Sequence, residues 1–186
     1  AVRRGRRVFT FARNGRLSHQ GQLACATCHL EGTEDKLVWI TDGPRQTMSL
    51  AGRVANTGPF NWLGSKGGLK ENMQQTVTRM GGAGLTPQEL SDLEAFMVDG
   101  LEAPVNPYPT MLDPVEVQEG QAIFEDKCSS CHTGDKYTDG QTWDVGTANE
   151  AELITRQELI AMGNDELPPP GQFNTPSLRD LWYTGP

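Results

Sequence analysis

Two five-residue motifs combine the residue types that a covalently bound redox cofactor needs. They are Cys25-Ala-Thr-Cys28-His29 and Cys128-Ser-Ser-Cys131-His132, and they contain all four cysteines and two of the three histidines of the chain. In such a motif each thiol can form a thioether with a haem vinyl group, and the histidine can ligate the haem iron. The sequence therefore predicts two covalent c-type haems and redox chemistry.

Three other interpretations use the same cysteines. The two cysteine pairs of a zinc ribbon normally lie roughly 15–20 residues apart, whereas about a hundred residues separate these motifs. Two disulfides would suit an exported protein, but they do not explain why a histidine follows the second cysteine twice. A thioredoxin-type motif favours a strand–helix context over these glycine-rich surroundings. Haem explains the whole pattern, and zinc and disulfides are the alternatives left open.

The composition fits a small protein built around cofactors. Of 186 residues only 36% are hydrophobic, with 21 glycines and 12 prolines, so an ordinary apolar core would be lean. A haem supplies a large apolar plate around which a small domain can fold. No stretch approaches the roughly 20 apolar residues of a membrane helix, and no signal peptide is recognisable. Because haem is attached to such motifs outside the bacterial cytoplasm, we expect a mature periplasmic protein.

The charge is distributed unevenly. The first sixteen residues contain six arginines and no acid, so the remainder has 16 − 6 = 10 basic residues against 24 acids and a charge near −14. An acidic body favours encounter with a basic electron-transfer partner, although the acids can equally serve to keep an exported protein soluble. The arginines can dock a partner, pair with haem propionates or form a solvated helix face. No nucleic-acid partner is predicted.

The chain repeats itself around the two motifs. Matching segments occur in the same order in each half. The first half has Gly5-x-x-x-Phe9 before the motif, followed after it by Trp39, Thr47-Met48-Ser49-Leu50 and Thr57-Gly58-Pro59. The second half has Gly120-x-x-x-Phe124 before the motif, followed after it by Trp143, Thr175-Pro176-Ser177-Leu178 and Thr184-Gly185-Pro186. Two copies of one haem module explain this order. By comparison with the first module, roughly forty residues are missing after the second Thr-Gly-Pro. We therefore expect an incomplete second domain.

Helix signals and prolines divide the chain. Thr86-Pro87-Gln88-Glu89 predicts a helix start with a capping box, and Gly100 predicts its end. Asp113, Pro114 and Glu116 predict another helix start. The predicted fold is mainly α, with two tandem cytochrome c-like haem domains and long loops. The domains span 1–103 and 115–186, and a linker at 104–114 contains four prolines.

The chain resembles the bacterial di-haem cytochrome c peroxidase and MauG superfamily. The resemblance rests on Gly5-Arg6-Arg7-Val8-Phe9, Leu17-Ser18 and the first haem motif, and on the segment from Gln172 to Leu181 followed by Thr184-Gly185-Pro186. It implies two cytochrome c-like domains with adjacent haems, one of them an electron relay. Peroxidases of this family take electrons from a small donor such as a monohaem cytochrome or cupredoxin and reduce hydrogen peroxide. MauG-like members oxidise side chains of a partner protein.

The resemblance also implies particular site residues. Trp62 falls on the motif that supplies an electron-coupling tryptophan between the haems, although core packing would explain it too. Met80, on the glycine-flanked segment Arg79-Met80-Gly81-Gly82, matches the family's methionine ligand of the electron-transfer haem. A calcium ion between the domains would be held partly by carbonyls near Thr184 and Pro186. The implied iron ligands are therefore His29 and Met80 for haem one and His132 for haem two.

Other residues compete for the second axial position on each iron. Met48 and Met73 are rivals of Met80, whereas His19 lies where the family pattern has no histidine. Met162 is a weak candidate for haem two because it is out of register with Met80. A methionine ligand raises the haem potential and suits electron transfer, whereas an open position lets peroxide bind.

Several departures from the family argue against rapid peroxidase turnover. Leu63 and Ser65 replace the family's Asp and Arg, and Trp39 and Trp143 occupy stretches where its peroxidatic domain often has a histidine. No glutamate is found in the loop that supplies the acid/base group, and peroxide heterolysis needs a proton shuttle. We therefore predict an electron-transfer protein. The alternatives are a peroxidase or MauG-like oxidase acting at an open haem two, and an electron-carrying subunit of a larger complex.

Overall fold

The computed structural model describes residues 1–12, 15–40, 44–163 and 169–184; Arg13, Gly185 and Pro186 lie outside these ranges. Within them the chain is mainly helical, with little sheet. The helices are α1 (Val2–Thr10), α2 (Cys25–Cys28), α3 (Leu69–Arg79), α4 (Pro87–Asp99), α5 (Pro114–Lys127) and α6 (Glu150–Ala161), and the strands are β1 (Val38–Ile40), β2 (Pro44–Gln46), β3 (Thr142–Asp144) and β4 (Gln172–Asn174). No helix of the described residues is long and apolar enough to cross a membrane.

Helices α1 and α4 pack together and enclose the first haem motif. The rings of Phe9 and Phe96 meet edge to face with centroids 5.3 Å apart. Gly5 allows this contact, because a Cβ atom at this position would lie 1.9 Å from the carbonyl oxygen of Asp92. At the edge of the pair, the guanidinium of Arg4 donates two hydrogen bonds of 2.7 and 2.9 Å to the Asp92 carboxylate. One arginine of the basic segment thus fixes α1 to α4.

The predicted helix starts are formed by side-chain caps. The Thr86 hydroxyl accepts from the Glu89 backbone N–H at 3.2 Å, and the Glu89 carboxylate accepts from the Thr86 N–H at 2.8 Å. This capping box starts α4, and Gly100 follows its last residue, as predicted. Asp113 caps α5 by accepting from the Val115 N–H at 2.8 Å.

The sequence repeat is also a structural repeat. β1 and β2 form one antiparallel pair with Trp39 opposite Arg45, and β3 and β4 form another with Trp143 opposite Phe173. In both halves the second strand leads directly into the Thr-x-Ser-Leu segment. The second half differs by a longer connection between its strands, and this connection contains α6.

Only the first half has a buried apolar core among the described residues. The buried hydrophobic side chains all lie between Phe9 and Leu101, and no residue of α5 is buried. Large apolar side chains of the second half, such as Ile123, Val117 and Met162, are exposed. Two tandem haem domains are therefore not confirmed, and the predicted boundaries stay predictions.

Candidate haem sites

The first Cys-x-x-Cys-His motif forms one short helix beside a cavity. The His29 N–H donates to the Cys25 carbonyl at 2.9 Å, and this bond closes the turn. The cavity, of about 130 Å³, is lined by both cysteines, His29 and Met80. Mostly apolar side chains from α1, α3 and α4 complete its wall.

Burial sets the protonation of these groups. It lowers the pKa of His29 against smaller opposing effects of the Thr33 and Met48 backbone and of Asp35, so the imidazole stays neutral and able to ligate iron. Burial raises the pKa of Cys25 to about 11. The pKa of Cys28 is raised too, first by burial and then by Asp35.

The four cysteines, all within the described residues, form no disulfide. No cluster of three or more His, Cys, Asp or Glu side chains in this part of the chain could hold a metal ion. The Nδ1 atom of His29 is buried and has no hydrogen-bond partner among the described residues. The first motif therefore presents one neutral imidazole to an apolar cavity, as haem ligation requires.

Met80 is held at the end of α3. Its N–H donates to the Thr76 carbonyl at 3.0 Å, and its carbonyl accepts from the His19 N–H at 2.9 Å. At Gly82 a Cβ atom would lie 2.4 Å from the Arg16 carbonyl oxygen, so only glycine allows this approach. The glycine-flanked segment predicted from sequence is therefore fixed against residues 16–19, with Met80 facing the cavity.

The rival ligands occupy different positions. Met73 is buried and lines the same cavity as Met80, whereas Met48 lines a second cavity. The His19 side chain is exposed, and its backbone is what supports Met80. Met97 also lines the first cavity. Sequence reasoning did not single out Met97, because its place on α4 suggested packing alone.

The second motif has the same local turn and a better oriented histidine. The His132 N–H donates to the Cys128 carbonyl at 3.0 Å. The Nδ1 atom of His132 lies 3.0 Å from the Tyr137 carbonyl oxygen. A proton on Nδ1 would make this hydrogen bond and leave the Nε2 lone pair available for iron. Met162 does not approach this site as a buried ligand would, because it is 80% exposed at the end of α6.

Trp62 joins the two halves of the molecule. Its indole N–H donates to the Gln46 carbonyl at 3.0 Å, and its own carbonyl accepts from the Asn174 N–H at 2.7 Å. Its ring meets the Phe173 ring edge to face, with centroids 5.7 Å apart. The tryptophan therefore contacts the second strand of both repeat units.

A larger cavity of about 410 Å³ lies at this junction and is lined by Trp62. Leu50 and Asn72 line both cavities, so the two are adjacent. Arg53 and Asn174 also line it, and the buried Nε atom of Arg53 and Oδ1 atom of Asn174 have no hydrogen-bond partner in the described chain. The Arg53 Nε–H is a donor and suits an acceptor on the polar edge of a cofactor, whereas the Asn174 Oδ1 atom is an acceptor and needs a donor, because a buried polar atom without a partner is costly.

Two features of this cavity bear on the sequence predictions. Sequence reasoning missed Arg53 and gave Asn174 no role, since neither belongs to a local pattern. Thr184, near which the resemblance implies calcium-binding carbonyls, also lines the cavity. Pro186 lies outside the described residues, so calcium stays a prediction.

A buried ion pair also connects the two halves. Arg45 of β2 donates to Glu152 of α6 at 2.9 Å, and the two side chains are 4% and 6% exposed. The Glu152 carboxylate also accepts from the Gly171 N–H at 3.3 Å. The guanidinium carbon of Arg45 lies 4.8 Å from the centre of the Phe173 ring. Phe173 is thus fixed between Arg45 and Trp62.

Comparisons with known proteins place the fold. No protein-family model matches the sequence, and no curated protein matches it either. A chain of Kuenenia stuttgartiensis hydrazine synthase, in a structure pressurised with xenon, has a TM-score of 0.72 at 24% identity over 99% of this chain and 72% of that chain. A MauG-like protein associated with microbial copper homeostasis has a TM-score of 0.62 at 20% identity over 100% of this chain and 68% of that chain.

At these identities the likeness establishes the fold. The chain has the fold of a MauG-like protein, and the predicted resemblance to the MauG group is supported at this level.

Proposed function

We propose that this chain is a periplasmic di-haem c-type cytochrome that transfers electrons between redox partners on a cytochrome c peroxidase/MauG-like scaffold. The observation that carries the proposal is the cavity lined by Cys25, Cys28, His29 and Met80. These are two thioether-forming thiols, a neutral imidazole and a thioether sulfur around one apolar space. A His/Met pair raises the haem potential and suits electron transfer.

When bound, the haem iron supplies a one-electron redox couple. The residues of the chain anchor and orient it. The cysteines hold the plate, while His29 and His132 supply the proximal nitrogens. Met80 is pre-positioned by its backbone bonds to Thr76 and His19, so ligation costs little additional ordering.

Trp62 is the proposed coupling residue. It is bonded to the backbone of both repeat units and contacts Phe173. A side chain fixed in this way keeps a constant geometry while electrons pass. If Trp62 only packs the junction, a smaller aromatic residue there leaves electron transfer unchanged.

The proposed partner is a small basic redox protein, such as a monohaem cytochrome or a cupredoxin. The support is the acidic body of the chain outside its arginine-rich start. Complementary charge speeds encounter and makes the association rate depend on salt.

The ligand assignment is tested by absorption spectroscopy of the haem-loaded ferric protein. The expected signal is a far-red band from methionine bound to ferric iron, abolished in Met80→Ala. Met73→Leu is the matched control, because Met73 lines the same cavity and should keep the band. Persistence of the band in Met80→Ala, or its loss in Met73→Leu, would contradict the assignment to Met80.

The second candidate function is a hydrogen-peroxide-reducing peroxidase or MauG-like oxidase acting at haem two. The observation that favours it is the exposed position of Met162, which leaves His132 without a methionine ligand from that segment. A ferric EPR spectrum before and after peroxide separates the candidates. A high-spin signal consumed by peroxide while a reduced donor is oxidised would favour the enzyme. Low-spin signals that peroxide leaves unchanged would favour electron transfer alone.

A further inference from the structure

A haem at the first motif needs more room than the cavity beside its cysteines provides. That cavity has a volume of about 130 Å³. Pockets that enclose a drug-sized ligand hold roughly 300–1,000 Å³, and a haem is no smaller than such a ligand. The larger cavity of about 410 Å³ adjoins the first, because Leu50 and Asn72 line both. A haem bound at this motif would therefore extend into the larger cavity.

The attachment determines which edge of the haem enters the larger cavity. Cys25 and Cys28 would hold the two vinyl groups, and neither cysteine lines the larger cavity. The two propionates of a haem lie on the side of the ring opposite the vinyl groups. The larger cavity therefore suits the propionate edge, whose carboxylates are costly to bury without a partner.

Arg53 is the one basic residue among the described residues that line the larger cavity. Its guanidinium donates to the neutral hydroxyl of Thr184 at 3.4 Å, and its buried Nε atom has no partner in the described chain. Glu34 lines the same cavity, and the carboxylate of Asp180 lies over Gly52, yet neither acid forms an ion pair with Arg53 in this part of the chain. A planar guanidinium with an unused donor matches the geometry and charge of a carboxylate.

Two residues of the second half hold the guanidinium of Arg53. Its central carbon lies 5.5 Å from the centre of the Tyr183 ring, and Thr184 accepts its hydrogen bond. The Tyr183 hydroxyl lies 3.0 Å from the Ser49 Oγ atom and donates to the Ala51 carbonyl, so the ring is itself fixed to the first half. Arg53 is thus positioned by a segment that lies 131 residues further along the chain.

We propose that Arg53 binds a propionate of haem one and that Tyr183 and Thr184 position Arg53 for this role. The inference rests on the proposed haem-one site and adds the residue that holds its anionic end. A cation beside the propionate favours the reduced haem, because reduction adds a negative charge to the haem. The second half of the chain thereby raises the potential of the haem that is attached to the first half.

The test is a redox titration of the complete haem-loaded chain against a reference dye, from about pH 5 to about pH 8. Haem one is followed by its far-red methionine band, which is lost on reduction. In Arg53→Met the equilibrium constant for reducing haem one should fall about tenfold near pH 8. The difference from the wild-type chain should shrink towards pH 5, because a proton on the propionate then replaces the missing cation. Arg6→Met is the matched control, since it removes the same charge from an exposed position of α1.

Three further variants separate charge from position. Thr184→Val keeps the charge but removes the hydroxyl that holds the guanidinium, so it should lower the same equilibrium constant by about threefold. Arg53→Lys should retain most of the wild-type potential and its weak pH dependence, because the charge is kept. Where Arg53→Met does not take up haem, Arg53→Gln removes the charge but keeps a hydrogen-bond donor, and it should show the same shift.

A haem-one potential in Arg53→Met that equals the potential in Arg6→Met at every pH would overturn the proposal, and so would a shift confined to haem two. A Thr184→Val chain with the wild-type potential would overturn the positioning role of the second half. Failure of the His29 and Met80 assignment has a different signature, which is absence of the far-red band from the wild-type chain. The visible bands of the haems then provide the same comparison between the variants.

Discussion

Adding one methyl group at each of the two matched glycines should have opposite effects. Gly5→Ala puts a Cβ atom 1.9 Å from the Asp92 carbonyl oxygen and 2.7 Å from the Phe96 Cβ. Ordinary contact begins at 3.4 Å, so α1 and α4 must separate by about 3.4 − 1.9 = 1.5 Å. Gly120→Ala meets nothing within 4 Å. The two substitutions are chemically identical and differ only in what covers the helix.

The size of the effect follows from the packing lost. A gap of about 0.5–1 Å already forfeits a quarter to a half of the dispersion energy across a contact, and overpacking commonly costs about 1–3 kcal/mol. Because the Phe9–Phe96 contact and the Arg4–Asp92 pair both cross this interface, we place the cost at or slightly above the upper end of this range, at about 3–4 kcal/mol. Helix propensity returns up to about 1 kcal/mol. Gly5→Ala should therefore lose about 2–3 kcal/mol net, and Gly120→Ala should gain up to about 1 kcal/mol.

Both variants should be measured by denaturant and thermal unfolding of the haem-loaded protein at neutral pH, followed by circular dichroism. For a chain of this size the expected loss lowers the Tm of Gly5→Ala by about 5–10 °C. A loss below about 1 kcal/mol for Gly5→Ala would refute the close approach of α1 and α4. An equal loss in Gly120→Ala would show that α5 is covered in the free chain.

Three further predictions concern the ion pairs and the junction. Arg45→Met leaves the buried Glu152 carboxylate without its cation and should lower the free energy of unfolding by about 3–5 kcal/mol in urea titrations. A loss below about 1 kcal/mol in this variant would mean that the ion pair is solvated. The hydrogen bond from Arg4 holds the pKa of Asp92 below its usual range, so its stabilising effect is present above the unfolded value of about 3.9 and is lost as the pH falls through the folded value. Asp92→Asn should therefore flatten the fall of Tm with acidification, and an unchanged slope would contradict the pair. Trp62→Phe removes one hydrogen bond, costs up to about 1.5 kcal/mol, and should slow electron equilibration between the haems in stopped-flow reduction; an unchanged rate would leave Trp62 a packing residue.

Local patterns were predictable, because neighbouring residues determine them. The capping box of Thr86 and Glu89 and the stop at Gly100 form as the sequence predicts. The repeat was visible because each module places its tryptophan and its Thr-x-Ser-Leu segment in one order. The incomplete second domain that the same comparison predicts stays a prediction.

Contacts across the junction were not predictable. Arg45 and Glu152 are 107 residues apart, and each reads as an ordinary surface charge. Their burial depends on α6, which lies in the longer connection of the second module, so comparison of the repeats cannot reveal it. The position of Asn174 and Arg53 in the wall of the larger cavity was likewise not predictable, because it depends on how the two strand pairs are brought together.

The two haem motifs are followed by the same local hydrogen-bond arrangement, although their modules are packed differently. In each module an aspartate accepts from the indole N–H of the tryptophan four residues later at 2.9 Å, Asp35 from Trp39 and Asp139 from Trp143. Burial raises the pKa of each carboxyl, but hydrogen bonds from the backbone, the tryptophan and a threonine outweigh it, and both pKa values lie below the usual range. Each carboxylate is therefore charged and accepts several hydrogen bonds at once. We call each aspartate with its donors a local frame, and it connects the loop after the haem motif to the strand that contains the tryptophan. Because this frame includes no residue of α1 or α5, each module can hold its haem-motif loop in the same shape whatever packs against its first helix.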